Sequence, residues 1–412
     1  MIPWVDLHNV GYGQCIVLGA GDSLLMADCG SLNACLPNGQ DFSEYVTQSL
    51  TARCSSVPHR AFLLSHFHRD HVNGLWELLR QEPAFFEELY LPCPPCDDRG
   101  LPLLLEYAAF TAVFLRESGG LTDALSGFYR VLQAAPQADV YSLGQGDTLE
   151  NGGILYECVW PPRENFPYDN AFTELVEELH RCADMPGRRG GDVLGRFLCL
   201  LYDFCDSYLE MCRAQPVSRQ DAERTQSLLQ ALVGMAPVLR RLPAADEIAA
   251  MLQDRAAREL YSSQMNAASV IFQGEEGGVL MTGDATAQAL LAAEPLLYPS
   301  YCILQAPHHG QRPPWSDVCR GAEHILISCG GRPGADAAAA PEWAAMPGVK
   351  HCTAPVCAAC LRDGCRSKHT PCGDFGGAAR RCPGNHGGEP PCGICTLGTE
   401  AGGCLCGFAH RW

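Results

Sequence analysis

The stretch Ala61-Phe62-Leu63-Leu64-Ser65-His66-Phe67-His68-Arg69-Asp70-His71 decides how this 412-residue chain is read. A short, strictly apolar run reads as a buried strand, and it stops abruptly at three imidazoles and a carboxylate. Few folds need so many ligand-type side chains at one strand end unless they hold metal. Imidazole with carboxylate suits zinc, manganese or iron. Residues two apart in an extended loop, His66 and His68, can reach one ion, while Asp70 and His71 turn toward a second.

Two further strand ends carry the same chemistry. Gly278-Val279-Leu280-Met281-Thr282-Gly283-Asp284 presents a carboxylate after an apolar run, and its two oxygens could bridge two cations. Cys302-Ile303-Leu304-Gln305-Ala306-Pro307-His308-His309-Gly310 ends in a histidine pair. Adjacent side chains diverge, so one histidine is expected to bind metal and the other to orient a ligand or meet substrate. The sequence does not say which.

Around these strand ends the chain has a consistent plan. WVDLHNV, QCIVLGA and SLLMADCG read as three opening strands, and helical spacing follows at 41–52 and 75–80. A strand is expected near 88–92, a helix over 121–134, then strands at ADVYSL and GILYECVW. From about 164 to 262 the pattern is helical, in ELVEELHRC, RFLCLLYDFCDSYLEMC, AERTQSLLQALV and ADEIAAMLQDRAAREL, and this reads as an insertion. Strand patterning resumes at SVIFQG, GVLMTGD, CILQAP and HILISCG. Beyond Gly330 the chain becomes rich in Gly, Ala and Pro, as linkers are. The boundaries expected are 1–343 for the main domain and 344–412 for a separate Cys-rich segment.

Composition limits the function. An apolar fraction of 47% with 18% charged residues permits a sizeable core. No run is long enough to span a bilayer, and the first residues lack a basic, then apolar, leader, so a cytoplasmic protein without membrane contact is expected. The net charge of −18 disfavours broad binding to phosphate backbones. No Ser-His-Asp or nucleophilic cysteine arrangement competes with the metal reading, and there is no phosphate-cradling G-x-x-x-x-G-K.

Of 24 cysteines, ten fall in the last 61 residues. Cys357-Ala358-Ala359-Cys360 and Cys392-Gly393-Ile394-Cys395 are C-x-x-C pairs, in which two thiolates can chelate one tetrahedral zinc. A segment so poor in apolar runs would need such a staple, and structural zinc is the expectation there. Reduced thiols on a loose tail and disulfides are the alternatives. Cys93-Pro94-Pro95-Cys96 has no second pair beside it and is not read as a metal site.

Taken together these pieces resemble the metallo-β-lactamase superfamily, most closely the hydrolase domain of ComEC-type DNA-uptake proteins and their stand-alone relatives. Asn9-Val10-Gly11-Tyr12-Gly13-Gln14 looks like that family's opening Asp-Val-Gly-Gln-Gly turn, and Ala27-Asp28-Cys29-Gly30 is similar to its Ile-Asp-Thr-Gly strand end. Leu143–Asp147, Val159–Pro162 and Asn266–Val270 resemble its later strands. The likeness runs from residue 4 to about 330 and leaves the helical insertion unmatched.

The resemblance implies an α/β fold, the αββα four-layer sandwich, with two divalent metals (zinc foremost, manganese or iron otherwise) at one rim. His66 and His68 would bind one metal, Asp70 and His71 the other, Asp284 would bridge, and His308 or His309 would complete the second. Asp28 would orient the ligands, and Asp70 would also serve as base. The implied activity is hydrolysis through a bridging hydroxide, on a phosphodiester in nucleic acid or a nucleotide. The alternatives are hydrolysis of another small ester, or a non-catalytic, defence-associated scaffold whose helical insertion engages a protein partner. Gln311 stands where the family often has Ser, and no third histidine for the first metal is evident, His180 lying in the insertion.

Overall fold

A computed structural model describes residues 4–36, 39–116, 121–184, 191–330, 339–353 and 394–398. It is a mixed α/β fold with two seven-stranded sheets. The first sheet uses β1 (Trp4–His8), β2 (Cys15–Ala20), β3 (Ser23–Cys29), β4 (His59–Leu63), β5 (Glu88–Pro92) and β6 (Asp139–Leu143). The second uses β7 (Thr148–Asn151), β8 (Ile154–Trp160), β9 (Ile271–Gly274), β10 (Val279–Met281), β11 (Ile303–Gln305), β12 (His324–Ile327) and β13 (Val349–Cys352). A last strand, β14 (Ile394–Gly398), pairs antiparallel with β1 and so returns to the first sheet.

The spatial orders are β14-β1-β2-β3-β4-β5-β6 and β13-β12-β11-β10-β9-β8-β7. Each sheet starts with antiparallel pairs and continues in parallel ones, from β3 to β6 and from β10 to β13. Successive strand residues point to opposite faces. One set, including Leu7, Ile16, Leu25, Leu63, Phe272, Met281 and Leu326, forms an apolar cluster shared by the two sheets. The other set, including Met26, Phe62, Leu89, Leu280 and Ile325, joins a larger cluster with the helices.

The helices of seven or more residues are α1 (Arg69–Gln81), α2 (Leu103–Phe114), α3 (Leu121–Ala134), α4 (Asn170–Ala183), α5 (Gly191–Arg213), α6 (Arg219–Gly234), α7 (Pro243–Gln253), α8 (Arg255–Ala267) and α9 (Ala287–Ala293). The stretch 164–262 is largely helical, as its spacing predicts. Its helices bury Phe172, Phe197, Phe204, Leu239, Ile248 and Leu252 in the larger cluster, and α5 meets β6 at the border with the first sheet. The single helix expected over 245–260 is two, because Asp254 is extended (ψ 136°) between α7 and α8. Among the described residues, no helix is long and apolar enough to cross a membrane.

Three elements depart from the sequence expectations. α2 is buried on every side, so its sequence LLLEYAAFTAVF has no polar stripe to give it a helical period. α1 begins at Arg69, which puts Asp70 and His71 in a first helical turn rather than in an extended loop. β13 and β14 lie beyond residue 343, so the segment after that boundary adds an edge strand to each sheet. Cys357, Cys360 and Cys392 lie outside the described residues. Cys395 lies in β14, where its backbone pairs with Leu7.

Candidate metal centre

The ends of β3, β4, β10 and β11 meet at one rim, and each delivers part of the site. Asp28 sits near the end of β3 with a left-handed backbone (φ 58°), a conformation that Asp tolerates better than most side chains. Its carboxylate is fully used. It accepts from the Ser65 amide and hydroxyl (both 2.7 Å), from Gln14 Nε2 (2.9 Å) and from His71 Nδ1 (2.8 Å).

Those bonds set the histidine tautomers. Because Ser65 Oγ gives its proton to Asp28, it accepts from His66 Nδ1 at 3.0 Å. His71 Nδ1 likewise donates to Asp28. Both rings are therefore left with Nε2 as the lone-pair nitrogen, the orientation in which a carboxylate or hydroxyl behind a histidine prepares it to bind metal. His66 Nε2 lies 2.9 Å from His68 Nδ1, and His68 Nε2 is 3.3 Å from Ser262 Oγ.

The second sheet supplies the opposing half. Asp284 follows Gly283, whose φ of 52° and 2.8 Å approach of an added Cβ to Ser65 leave room for glycine alone. Gln305 aligns this strand end. Its Oε1 accepts from the amides of Thr282 (2.8 Å) and Gly283 (2.9 Å), and its Nε2 donates to Gln14 Oε1 at 2.6 Å. A chain Gln305–Gln14–Asp28–His71 thus ties the two sheets together behind the site.

His308 and His309 both have positive φ (50° and 56°), which swings their rings apart. His309 is the buried one and points into the cluster, with Nε2 3.3 Å from Asp70 Oδ2 and 3.6 Å from Asp284 Oδ2. Its ring packs on Tyr12 at 4.7 Å, and Gln311 donates to the Tyr12 hydroxyl at 2.9 Å. His308 is partly exposed, and its Nδ1 lies 3.3 Å from Asn266 Nδ2.

Two groups could each hold an ion: His66, His71 and Asp284, and Asp70, His71 and His309, with ligand atoms within 4.8 Å of one another in each. The groups share His71, whose Nδ1 is engaged by Asp28, so its single free nitrogen serves one position at a time. His68 belongs to neither group, and neither does His308. His180 sits against Glu106 (3.1 Å) in the insertion and is not part of the cluster.

The residues fit a cation on a second count. Among the described residues, His71 Nε2, Asp284 Oδ1 and both ring nitrogens of His309 are buried without a hydrogen-bond partner. His71 Nε2 comes within 3.3 Å of Asp284 Oδ1 but outside hydrogen-bond geometry. Buried polar atoms are normally paired, because leaving one unpaired costs about 1–3 kcal/mol. Electrostatics points the same way. Burial opposes ionisation of Asp70 and Asp284, yet the neighbouring His309 and His71 hold both carboxyls below their ordinary range. Burial also opposes protonation of His71 and His309, and the carboxylates around them push both upward. His66, His68 and His308 are shifted down by burial. The anionic carboxylates of the pocket are thus matched by positive charge, which protonated His71 and His309 or a bound cation can supply.

Sequence reading finds the ligand-type residues but not the supporting groups behind them: Ser65, Ser262, Gln305 and Ser269, whose Oγ lies 3.3 Å from His66 Nδ1 and accepts from the Asp284 amide at 3.3 Å. Single hydroxyls and amides carry no spacing signal. Gln14 and Gln305 stand within the motifs that frame the site, and that adjacency is the one clue to their role.

No family model and no curated relative matches this sequence. Among solved structures, the chain is similar to the metallo-beta-lactamase fold protein YhfI from Bacillus subtilis, at 15% identity and a TM-score of 0.22, over 38% of this chain and 52% of that one. It is also similar to a protein of unknown function from Enterococcus faecalis V583, at 18% identity and a TM-score of 0.21, over 39% of this chain and 38% of that one. The match thus spans about half of the first chain and less of the second, and likenesses this slight assign neither family nor activity.

Proposed function

We propose that this protein is a metal-dependent hydrolase with the αββα sandwich of the metallo-β-lactamase superfamily, acting on a phosphodiester in the cytoplasm. The observation that carries the reading is the buried convergence of Asp70, His71, Asp284 and His309 from both sheets, with ligand atoms left unpartnered. Residues 1–343 would form most of the hydrolase body with its insertion, and 344–412 a Cys-rich segment that adds the edge strands β13 and β14 and would bind structural zinc through Cys357, Cys360, Cys392 and Cys395.

His66, His68 and Asp284 would hold one divalent cation, and Asp70, His71 and His309, together with Asp284, would hold the other. Bound divalent cations would polarise the phosphoryl oxygen and make water acidic enough to react near neutral pH. The chain's own residues do the rest. Asp28 fixes the His71 and Ser65 positions, and through Ser65 the His66 tautomer. Asp70 accepts the proton of the attacking water. His308, partly exposed and outside the cluster, meets the substrate or its leaving group. Phosphodiester rather than another ester rests on the sequence resemblance to ComEC-type domains, which is analogy.

The test is hydrolysis of bis(p-nitrophenyl) phosphate by the full chain, with metal content measured on the same sample. Chelation and Asp284→Ala should each abolish turnover. Turnover that survives both, or bound metal with no turnover at all, would refute the hydrolase reading and favour a binding scaffold.

A further inference from the structure

A cleft of about 860 Å³ opens beside the candidate metal centre. His68 and Arg69 line it, as do residues of the insertion helices α7 and α8 and of α2. Its charge is opposite to that of the chain. Four arginines line it (Arg69, Arg116, Arg240 and Arg258) against one carboxylate, Asp246, in a protein of net charge −18.

The arginines divide into two kinds. Arg240 donates to the carbonyls of Ala112, Val113 and Leu115 and so caps the end of α2. Arg69, Arg116 and Arg258 are exposed and make no ion pair among the described residues. Apolar and aromatic surface completes the cleft, from Phe67, Tyr107, Phe114, Leu252, Tyr261 and Met265. Tyr107 and Tyr261 stack at 4.8 Å and 21°. Both are more than nine-tenths buried, and both hydroxyls lack a hydrogen-bond partner among the described residues.

We infer that this cleft is the binding site of a small phosphorylated molecule with an aromatic body, of nucleotide size, whose phosphate Arg69, Arg116 and Arg258 hold. Guanidinium groups match phosphate oxygens in geometry and charge. The volume lies within the range of about 300–1,000 Å³ usual for small-molecule sites. Apolar and aromatic wall residues give a ring-bearing ligand a surface to pack against. A nucleic acid strand is the weaker occupant, since the acidic chain as a whole repels a continuing phosphate backbone. The inference rests on the proposed function for its place beside a reacting centre, but the binding itself does not require hydrolysis.

The test is calorimetric titration of the full chain, as purified and after chelation. The probes are AMP, CMP, GMP and UMP, the matching nucleosides, inorganic phosphate, and a single-stranded DNA oligonucleotide. At least one nucleoside monophosphate should bind about tenfold tighter than its nucleoside and than phosphate, with and without metal. Arg116→Gln with Arg258→Gln should weaken it about tenfold or more, Arg→Lys at both positions should weaken it less, and circular dichroism should show all variants folded. Equal affinity for nucleotide and phosphate, no loss in the Gln variant, or tighter binding of the oligonucleotide would overturn the inference. Nucleotide binding without any diester hydrolysis would sink the hydrolase reading alone, and hydrolysis without nucleotide binding would sink this inference alone.

Discussion

The rim and the helical insertion solve opposite problems with the same chain. At the rim, Asp28, His308 and His309 sit in left-handed backbone, and several buried ligand atoms have no partner. In the insertion, Phe172, Phe197, Phe204 and Ile248 fill a regular apolar core. Backbone strain and unpaired polar groups persist only where surrounding structure or a ligand compensates. The rim leaves several ligand atoms for a partner, and a cation is the partner its donor set fits.

That contrast can be broken at either end. The largest effect is expected from Asp284→Ala, which should lower diester hydrolysis about a thousandfold and reduce bound metal, measured by initial rates and elemental analysis. Next comes Phe172→Ala, expected to cost about 3–5 kcal/mol in urea unfolding while metal content per folded molecule stays unchanged. An equal loss of metal would show that the two regions are not separable.

Gln305→Leu sharpens the comparison from behind the site. The Thr282 and Gly283 amides would lose their shared acceptor, at about 1–3 kcal/mol of stability. Misplacing Asp284 in this way should also weaken metal affinity about 10–100-fold in a competition titration. A Gln305→Leu protein that binds metal as wild type does would show that Asp284 needs no such support.

The smallest effect concerns acid. His8, buried against Tyr45 and near Asp6 and Arg53, is lowered by burial from 6.5 to about 4. The unfolded chain therefore takes up a proton at His8 between pH 6.5 and 4 that the folded chain refuses. Stability is undiminished by this group above pH 6.5 and falls as pH drops toward 4, by about 2 kcal/mol at pH 5. Urea midpoints at pH 7 and pH 5 should differ less in His8→Asn than in wild type.

Much of the candidate site is legible in the sequence because ligand-type residues follow apolar strands directly. His66, Asp70, His71, Asp284 and His309 stand just past the ends of β4, β10 and β11, or at the start of α1. The choice between His308 and His309 is not legible, since it depends on two consecutive positive φ angles. His68 has the H-x-H spacing of a ligand and stands with its Nδ1 2.9 Å from His66 Nε2, although neither three-residue group includes it. α2 escapes the reading because a helix buried all round loses the polar stripe that periodicity needs.

Whether cations occupy the rim decides between a metal centre and a cluster of paired side chains. Crystals of the full chain grown with zinc, measured at the zinc absorption edge, would answer directly. Anomalous peaks are expected within bonding distance of Asp284, His71 and His309. Peaks confined to the Cys-rich segment, or none at all, would contradict the metal centre.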